Sequence, residues 1–240
     1  MQTIAEKTVR EIALENPSSI RVFESLGIDY CCGGKRSLSD ACANADIDID
    51  RALDLLAKAK RNSPAPQSGE WSEKPLRDLI VHIVGKHHGF VRQETPRIES
   101  LLSKVAAKHG PAHPEIVQIE PLFTAIGQEL STHMFKEEQI LFPYIERMEQ
   151  AVRSGDPMPV ACFDSVKRPI ANMIAEHENA GALLARIREL SDGYTVPDGV
   201  CPSFLALYRG LEEFERDLHH HIHLENNILF PRAVAMEQAR

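Results

Sequence analysis

With 240 residues, 43% of them hydrophobic, the chain is long enough to bury a sizeable core and to form one or two domains. A formal charge of −8 at pH 7 argues against a nucleic-acid-binding surface, because clustered Lys and Arg supply most of the affinity for phosphate. Charged residues interrupt the first thirty positions, which excludes the apolar stretch of a signal peptide or a membrane span there. We therefore expect a soluble, cytoplasmic protein that binds neither nucleic acid nor membrane.

Residues 1–60 carry short helical signals. Ser18 or Ser19 can cap one segment, and Asp48 or Asp50 can cap another, since these side chains accept hydrogen bonds from the first amides of a helix. The sequence therefore predicts a small helical domain at the start of the chain.

A linker and a larger helical unit follow. Residues 61–72 contain prolines, glycine and small polar residues in place of helical patterning, which indicates a linker. Residues 73–240 contain four long segments of period near 3.6, joined by turn-rich sequences, and none of them alternates as a strand would. The predicted fold class is all-α, an antiparallel four-helix bundle preceded by the small helical domain.

An internal repeat runs through the bundle. Residues 133–143 read HMFKEEQILFP, and residues 221–231 read HIHLENNILFP, 88 positions later. Each copy belongs to a series that steps by three and four residues, which is typical of the inward face of a bundle helix. The two series are Phe123, Ile126, Leu130, His133, Glu137, Ile140 and Leu211, Phe214, Leu218, His221, Glu225, Ile228. A histidine and a glutamate thus stand where Leu or Ile is expected.

The other two long segments carry the same kind of series with one histidine each. These series are Val81, Val84, His88, Val91, Thr95, Ile98 and Ile170, Met173, His177, Ala180, Leu184, Ile187. His88 and His177 lie 89 positions apart, so the bundle is predicted to be two helical hairpins related by an approximate two-fold axis. The alternative register through His87 becomes charged downstream, which favours His88 as the inward residue.

Six inward polar residues in a duplicated pattern predict a metal site. Buried imidazole and carboxylate groups are costly unless they are paired, hydrogen-bonded or bound to a cation. Four imidazoles and two carboxylates are too many for one tetrahedral ion and suit two ions that share the carboxylates. Iron fits these ligands, with manganese and zinc as alternatives. The predicted ligands are His88, His133, Glu137, His177, His221 and Glu225, the two glutamates bridging.

Three glutamates close to these positions, Glu138, Glu176 and Glu178, fall off the inward face. We expect them to be solvated or to support the ligands from outside. His109 lies on no inward series and is not counted as a ligand.

The absence of any Glu-x-x-His sequence argues against a ferritin-type di-iron oxidase. The histidine-rich set instead resembles the hemerythrin-like family. With Tyr30-Cys31-Cys32-Gly33-Gly34 ahead of the bundle, the chain resembles the iron-sulfur cluster repair di-iron proteins over essentially its whole length.

That resemblance implies a function. The family recovers iron-sulfur clusters damaged by nitric oxide or oxidants, through iron donation or nitric oxide binding at two iron ions bridged by oxo or hydroxo and carboxylate groups. The implied partners are damaged iron-sulfur proteins and nitric oxide or dioxygen as small ligands, and a homodimer is left open. The family's ligands carry over to the six predicted residues, its paired cysteines to Cys31 and Cys32, and His109 becomes an accessory candidate.

The residues themselves say less about the cysteines. Five cysteines without zinc-type CxxC pairs predict reduced thiols, and adjacent cysteines rarely form a comfortable disulfide. Cys31 and Cys32 precede a Gly-Gly turn that would leave a thiol reachable, so reactive thiols compete with a role as small core residues. Core roles are expected for Cys42, Cys162 and Cys201.

Two other functional classes remain open. One is a hemerythrin-like carrier or sensor of oxygen or nitric oxide, which the cysteine domain disfavours. The other is a di-iron enzyme that reduces nitric oxide or peroxide. Catalytic turnover with a reductant would distinguish an enzyme from a stoichiometric repair protein.

Overall fold

A computed structural model describes residues 3–31, 33–62, 71, 73–160, 163 and 165–239. Within these ranges the chain is helical, and its one β-bridge joins Thr8 and Ser37. None of the described helices combines the length and apolarity that a membrane span requires. After a 3₁₀ turn at Ile4–Glu6, the helices are α1 (Val9–Glu15), α2 (Ser18–Leu26), α3 (Leu38–Asn44), α4 (Ile49–Asn62), α5 (76–109), α6 (114–154), α7 (Lys167–Leu190) and α8 (202–238). The all-α prediction is confirmed.

Local side-chain signals begin the N-terminal helices. Thr8 and Glu11 form a capping box at α1, each side chain accepting a hydrogen bond from the other residue's backbone amide. Asp48 caps α4, as predicted, by accepting from the amide two residues on, at 3.2 Å. The predicted serine cap of α2 is wrong: Pro17 occupies the N-cap position, and Ser19 is buried within the helix.

Helices α1 to α4 enclose a hydrophobic core of their own. Its largest fully buried side chains come from α2, from α3 and from the loop between them. They are Phe23, Leu38 and Tyr30. Much of the expected linker lies outside the described residues.

Helices α5 to α8 form the bundle. Helix α5 packs between α6 and α8, α7 lies along α6, and the start of α5 contacts the end of α6, as an antiparallel hairpin requires. One hydrophobic core lies on each side of the predicted metal ligands along the bundle axis. Aromatic residues fill both cores: Phe123, Phe204 and Phe214 in one, Phe142 and Phe230 in the other.

A π-helical turn interrupts each of three bundle helices next to a predicted ligand. These turns are Ile83–His88 in α5, Glu137–Leu141 in α6 and Glu225–Leu229 in α8. A π turn bonds residue i to i+5 and inserts one residue, so it rotates the inward face of the helix beyond it. Two predicted inward residues therefore point outward: Val81 is 61% exposed and Ile140 is 45% exposed.

Candidate metal centre

All six predicted ligands converge between the two cores of the bundle. His88 ends the π turn of α5, His133 and Glu137 come from α6, His177 from α7, and His221 and Glu225 from α8. None of the six is more than 2% exposed. Because each of the four helices contributes at least one group, the cluster exists only when the bundle is assembled.

The six side chains form two overlapping sets. We call His88, His221 and both glutamates the first subsite, and His133, His177 and both glutamates the second subsite. Within each set, one candidate ligand atom from every residue lies within 4.8 Å of all the others. Each subsite takes one histidine from each helical hairpin, so the approximate two-fold symmetry of the sequence appears as two similar half-sites.

The two glutamates belong to both subsites. Glu137 Oε2 lies 3.4 Å from His88 Nε2 and 3.3 Å from His133 Nε2. Glu225 places Oε1 3.1 Å from His221 Nε2 and Oε2 3.1 Å from His177 Nε2. Each carboxylate therefore faces one histidine of each subsite, which is the arrangement a bridging ligand needs.

The polar atoms of this cluster fit a cation. Both carboxylate oxygens of Glu137 are buried without a hydrogen-bond partner among the described residues. The Nε2 atoms also face each other in pairs, His88 and His221 at 3.2 Å and His133 and His177 at 3.0 Å. A buried carboxylate lacking donors is costly, and imidazole with carboxylate suits iron, so the donor set matches the predicted metal.

The charges of the metal-free cluster are strongly interdependent. Burial lowers the pKa of His133, but the negative charge of Glu137 outweighs it and raises that pKa to about 9. The pKa of His88 is also raised, against its burial, by Glu137. Burial raises the pKa of both glutamates, and repulsion by Glu225 adds to this at Glu137, yet the neighbouring histidines lower the pKa of both, that of Glu225 most. Without metal, the carboxylates therefore favour the protonated forms of His88 and His133.

Side chains outside the cluster hold three of the histidines by Nδ1. His88 Nδ1 lies 2.6 Å from Glu138, and His133 Nδ1 lies 2.8 Å from Glu176. His177 Nδ1 lies 2.9 Å from the side-chain oxygen of Asn226. Such contacts orient a ligand imidazole and leave Nε2 free for a metal.

The sequence left the role of these outer residues open. Glu138 and Glu176 prove to be the supporting groups, whereas Glu178 lines a cleft elsewhere. Asn226 was missed. The repeat offset of 88 residues relates it to Glu138 and would have found it.

The two adjacent histidines of α5 have different surroundings. His88 joins the first subsite and His87 joins neither. His87 is nevertheless fully buried, because the π turn places both residues on the inner side of α5. Its Nδ1 lies 3.0 Å from Asp217 on α8.

The loop between α2 and α3 that carries Cys31, here called the cysteine loop, packs against the bundle. Cys31 is 4% exposed and packs with the bundle core, and its Sγ lies 3.2 Å from Asp29 Oδ1. It also lines a cavity of about 790 Å³ between the N-terminal helices and helices α7 and α8, together with His219 and Arg188. Cys32 lies outside the described residues.

The remaining predicted residues lie away from the cluster. His109 is the last residue of α5 and lies about 30 Å along the helix from His88, at 1.5 Å per residue. Its Nε2 contacts Cys201 Sγ at 3.2 Å. Cys42 is buried in the N-terminal core, as expected, and Cys201 is partly exposed. Cys162 lies outside the described residues.

Comparison with known proteins gives matches to both parts of the chain. Residues 79–233 match the Hemerythrin HHE cation binding domain, and residues 5–60 match ScdA_N, a domain of unknown function. The iron-sulfur cluster repair protein YtfE of Yersinia pseudotuberculosis serotype IB (strain PB1/+) is 38% identical over 228 residues, which cover 94% of this chain and 96% of that protein. The protein of the same name from Yersinia pestis (strain Pestoides F) matches with the same identity and coverage.

Proposed function

Because this chain belongs to the family of iron-sulfur cluster repair proteins built on a hemerythrin HHE domain, we propose that it restores iron-sulfur clusters damaged by nitric oxide or oxidants. Its own work is to hold iron for delivery and to accept nitric oxide at the same centre. Its partners are damaged iron-sulfur proteins, and its place of action is the cytoplasm.

The proposed centre holds two iron ions, one in each subsite. The observation that carries this proposal is the pair of overlapping His₂Glu₂ sets, in which Glu137 and Glu225 each face a histidine of both subsites. These glutamates would bridge the ions, and each subsite would add two imidazoles. Bound iron supplies redox chemistry and an affinity for diatomic ligands, and the incomplete coordination leaves room for an oxo or hydroxo bridge.

The cluster is also suited to giving iron up. When the subsites lose metal, proton uptake by His88 and His133 is favoured, because Glu137 raises the pKa of both. Those protons compensate the buried carboxylates, so the empty bundle does not retain two uncompensated charges in its core. Reversible release is what a donor of iron requires, whereas a permanent structural site would gain nothing from it.

Cys31 and Cys32 are proposed as reactive thiols that receive iron or react with nitric oxide. Support comes from Cys31, which lines the cavity beside α7 and α8. Thiolates are strong iron ligands, so a thiol that lines this cavity suits transfer of iron out of the bundle.

A stoichiometric repair assay tests the proposal. A purified [4Fe–4S] protein inactivated with nitric oxide is incubated anaerobically with the iron-loaded chain, a thiol reductant and sulfide, and recovered activity is compared with iron lost from the chain. We expect recovery in proportion to iron transferred. A Glu137→Gln, Glu225→Gln variant should give none, and a Cys31→Ala, Cys32→Ala variant should keep its iron but repair poorly.

The same assay separates the alternatives. Multiple turnovers of nitric oxide or peroxide with a reductant, without iron loss, would overturn the repair function in favour of a reductase. Reversible binding of the gas with no recovery of the damaged protein would favour a carrier or sensor. Sedimentation of the loaded chain would decide whether it acts as a homodimer.

A further inference from the structure

The two subsites differ in the groups that support their histidines. In the second subsite, His133 is held by Glu176 and His177 by Asn226. In the first subsite, His88 is held by Glu138, but His221 Nδ1 is buried with no hydrogen-bond partner among the described residues. One half-site therefore has two supported imidazoles, and the other has one.

The repeat shows where the missing partner would be. By the offset of 88 to 89 residues that relates the hairpins, His221 corresponds to His133. The residue that corresponds to Glu176, which holds His133, is His87. The His87 and His221 rings lie nearly parallel, at 11°, with centroids 5.7 Å apart. His87 directs Nδ1 to Asp217, and its buried Nε2 is left without a hydrogen-bond partner in the described chain, as is His221 Nδ1. Histidine thus replaces a supporting carboxylate at this one position.

The two existing carboxylate supports are themselves anchored. Glu176 pairs with Lys136, and Glu138 lies 2.5 Å from Arg92. A fixed acceptor on Nδ1 orients the imidazole and makes Nε2 a better donor to a metal, and loss of such a partner typically costs about 10 to 100-fold in metal affinity. His221 lacks this help, while its counterpart His133 has it in full.

We propose that the two irons are not held equally, and that the first subsite, at His88 and His221, releases its iron first because His87 stands where a supporting glutamate stands in the other half. This inference rests on the proposed two-iron centre. It assigns the donated iron to one half-site and leaves the second iron, at His133 and His177, as the retained one. His87 acts here as a positioning residue, through His221.

Iron release from the reduced, fully loaded chain into excess ferrous chelator tests the inference. We expect two phases of one iron each, with rates that differ by about 10 to 100-fold. His87→Gln should slow the fast phase alone, because the Gln carbonyl oxygen can accept from His221 Nδ1 while its amide donates to Asp217. The mirror variant, Glu176→His, should increase the rate of the slow phase alone, so that the rates of the two phases become similar.

Each outcome has a defined meaning. A single release phase in the wild type, or a His87→Gln change confined to the slow phase, would overturn the ordered release. If His87→Gln does not fold, Glu176→His decides, since an unchanged slow phase would also overturn it. Wild-type protein that loads fewer than two irons would instead refute the two-iron centre. Ordered release without cluster recovery would refute the repair function and leave this inference standing.

Discussion

The side-chain amide of Asn227 donates to the backbone carbonyl of Tyr30 at 3.2 Å, across 197 residues of sequence. Asn227 lies two residues after Glu225, in the same π turn of α8, and Tyr30 immediately precedes Cys31. The same amide donates to His223 Nδ1 at 2.8 Å, and the Tyr30 ring packs near His223 with centroids 5.6 Å apart. The cysteine loop is therefore attached to the turn that presents a bridging glutamate.

Asn227→Ala should detach this loop from the bundle. It removes two buried hydrogen bonds and leaves the Tyr30 carbonyl without its donor, which we expect to cost about 1 to 3 kcal/mol of stability. Modification of Cys31 by a thiol reagent should become faster. Thiol labelling rates and denaturant unfolding measure the two effects.

A matched control is Asn179→Ala, because Asn179 donates to Glu129 on an exposed part of the bundle. That variant should change neither quantity. Equal labelling rates in the wild type and Asn227→Ala would contradict the attachment of the cysteine loop through this turn.

Glu137→Gln combined with Glu225→Gln should abolish the coupled iron pair. The substitution keeps side-chain volume but removes both charges that each subsite shares, so neither subsite retains a carboxylate. Metal analysis and Mössbauer spectroscopy of the purified variant are the measurements. Glu178→Gln serves as the control, because Glu178 lines the cavity beside Cys31 and belongs to neither subsite. Two coupled irons persisting in the double variant would refute the bridging role.

The inner ligands could be predicted because the duplication supplied each pattern twice. His133 and His221 share spacing, flanking residues and helix register, so a single coincidence cannot explain them. The outer groups were harder, since a polar residue beside an inward series is equally at home in water. Asn226 shows this: nothing in its residue type indicates that it contacts His177.

The π turns could not be read from the sequence. Each adds one residue to a helical turn without a residue-type signal, so a uniform step of three and four carries past the ligand in the wrong register. Val81 and Ile140 were consequently placed inward and are exposed. Ile228 lies in an equivalent turn but is buried in the core that contains Phe142 and Phe230, so the packing around each turn also decides exposure. The π turns leave His88, Glu137 and Glu225 inside the bundle, while the helix positions that face inward change across each turn.

Gly127→Ala should destabilise the hairpin formed by α5 and α6. A Cβ added at Gly127 would lie 2.7 Å from the Thr95 methyl carbon, so the two helices approach too closely for a larger residue. We expect a loss of about 1 to 3 kcal/mol, measured by denaturant unfolding of the metal-free chain. Gly85→Ala is the control, since its added Cβ would meet nothing within 4 Å, and equal stabilities of the two variants would contradict this close packing.

The metal-free chain should lose stability as the pH rises from about 7.5, one unit above the unfolded histidine pKa, to about 9. Folding raises the pKa of His133 to about 9 and also raises that of His88, so their stabilising contribution is complete below the unfolded value near 6.5 and declines as each deprotonates. Glu137 and Glu225, whose pKa values are lowered, stay ionised throughout this window and do not offset the loss. Urea unfolding at several pH values should show a fall of about 1 to 3 kcal/mol.

Iron affinity should depend on pH in the opposite direction to the stability of the metal-free chain. Binding through Nε2 requires neutral imidazole, so loading must displace the proton that His133 holds at pH 7, because the pKa of His133 is raised to about 9. Iron affinity should therefore increase as the pH rises towards 9, over the interval in which the metal-free chain weakens. Proton release measured calorimetrically in two buffers of different ionisation enthalpy would detect the displacement. Glu137→Gln, which removes the main cause of the raised pKa of His133, should reduce the release, and an unchanged proton count would show that His133 is neutral before iron binds.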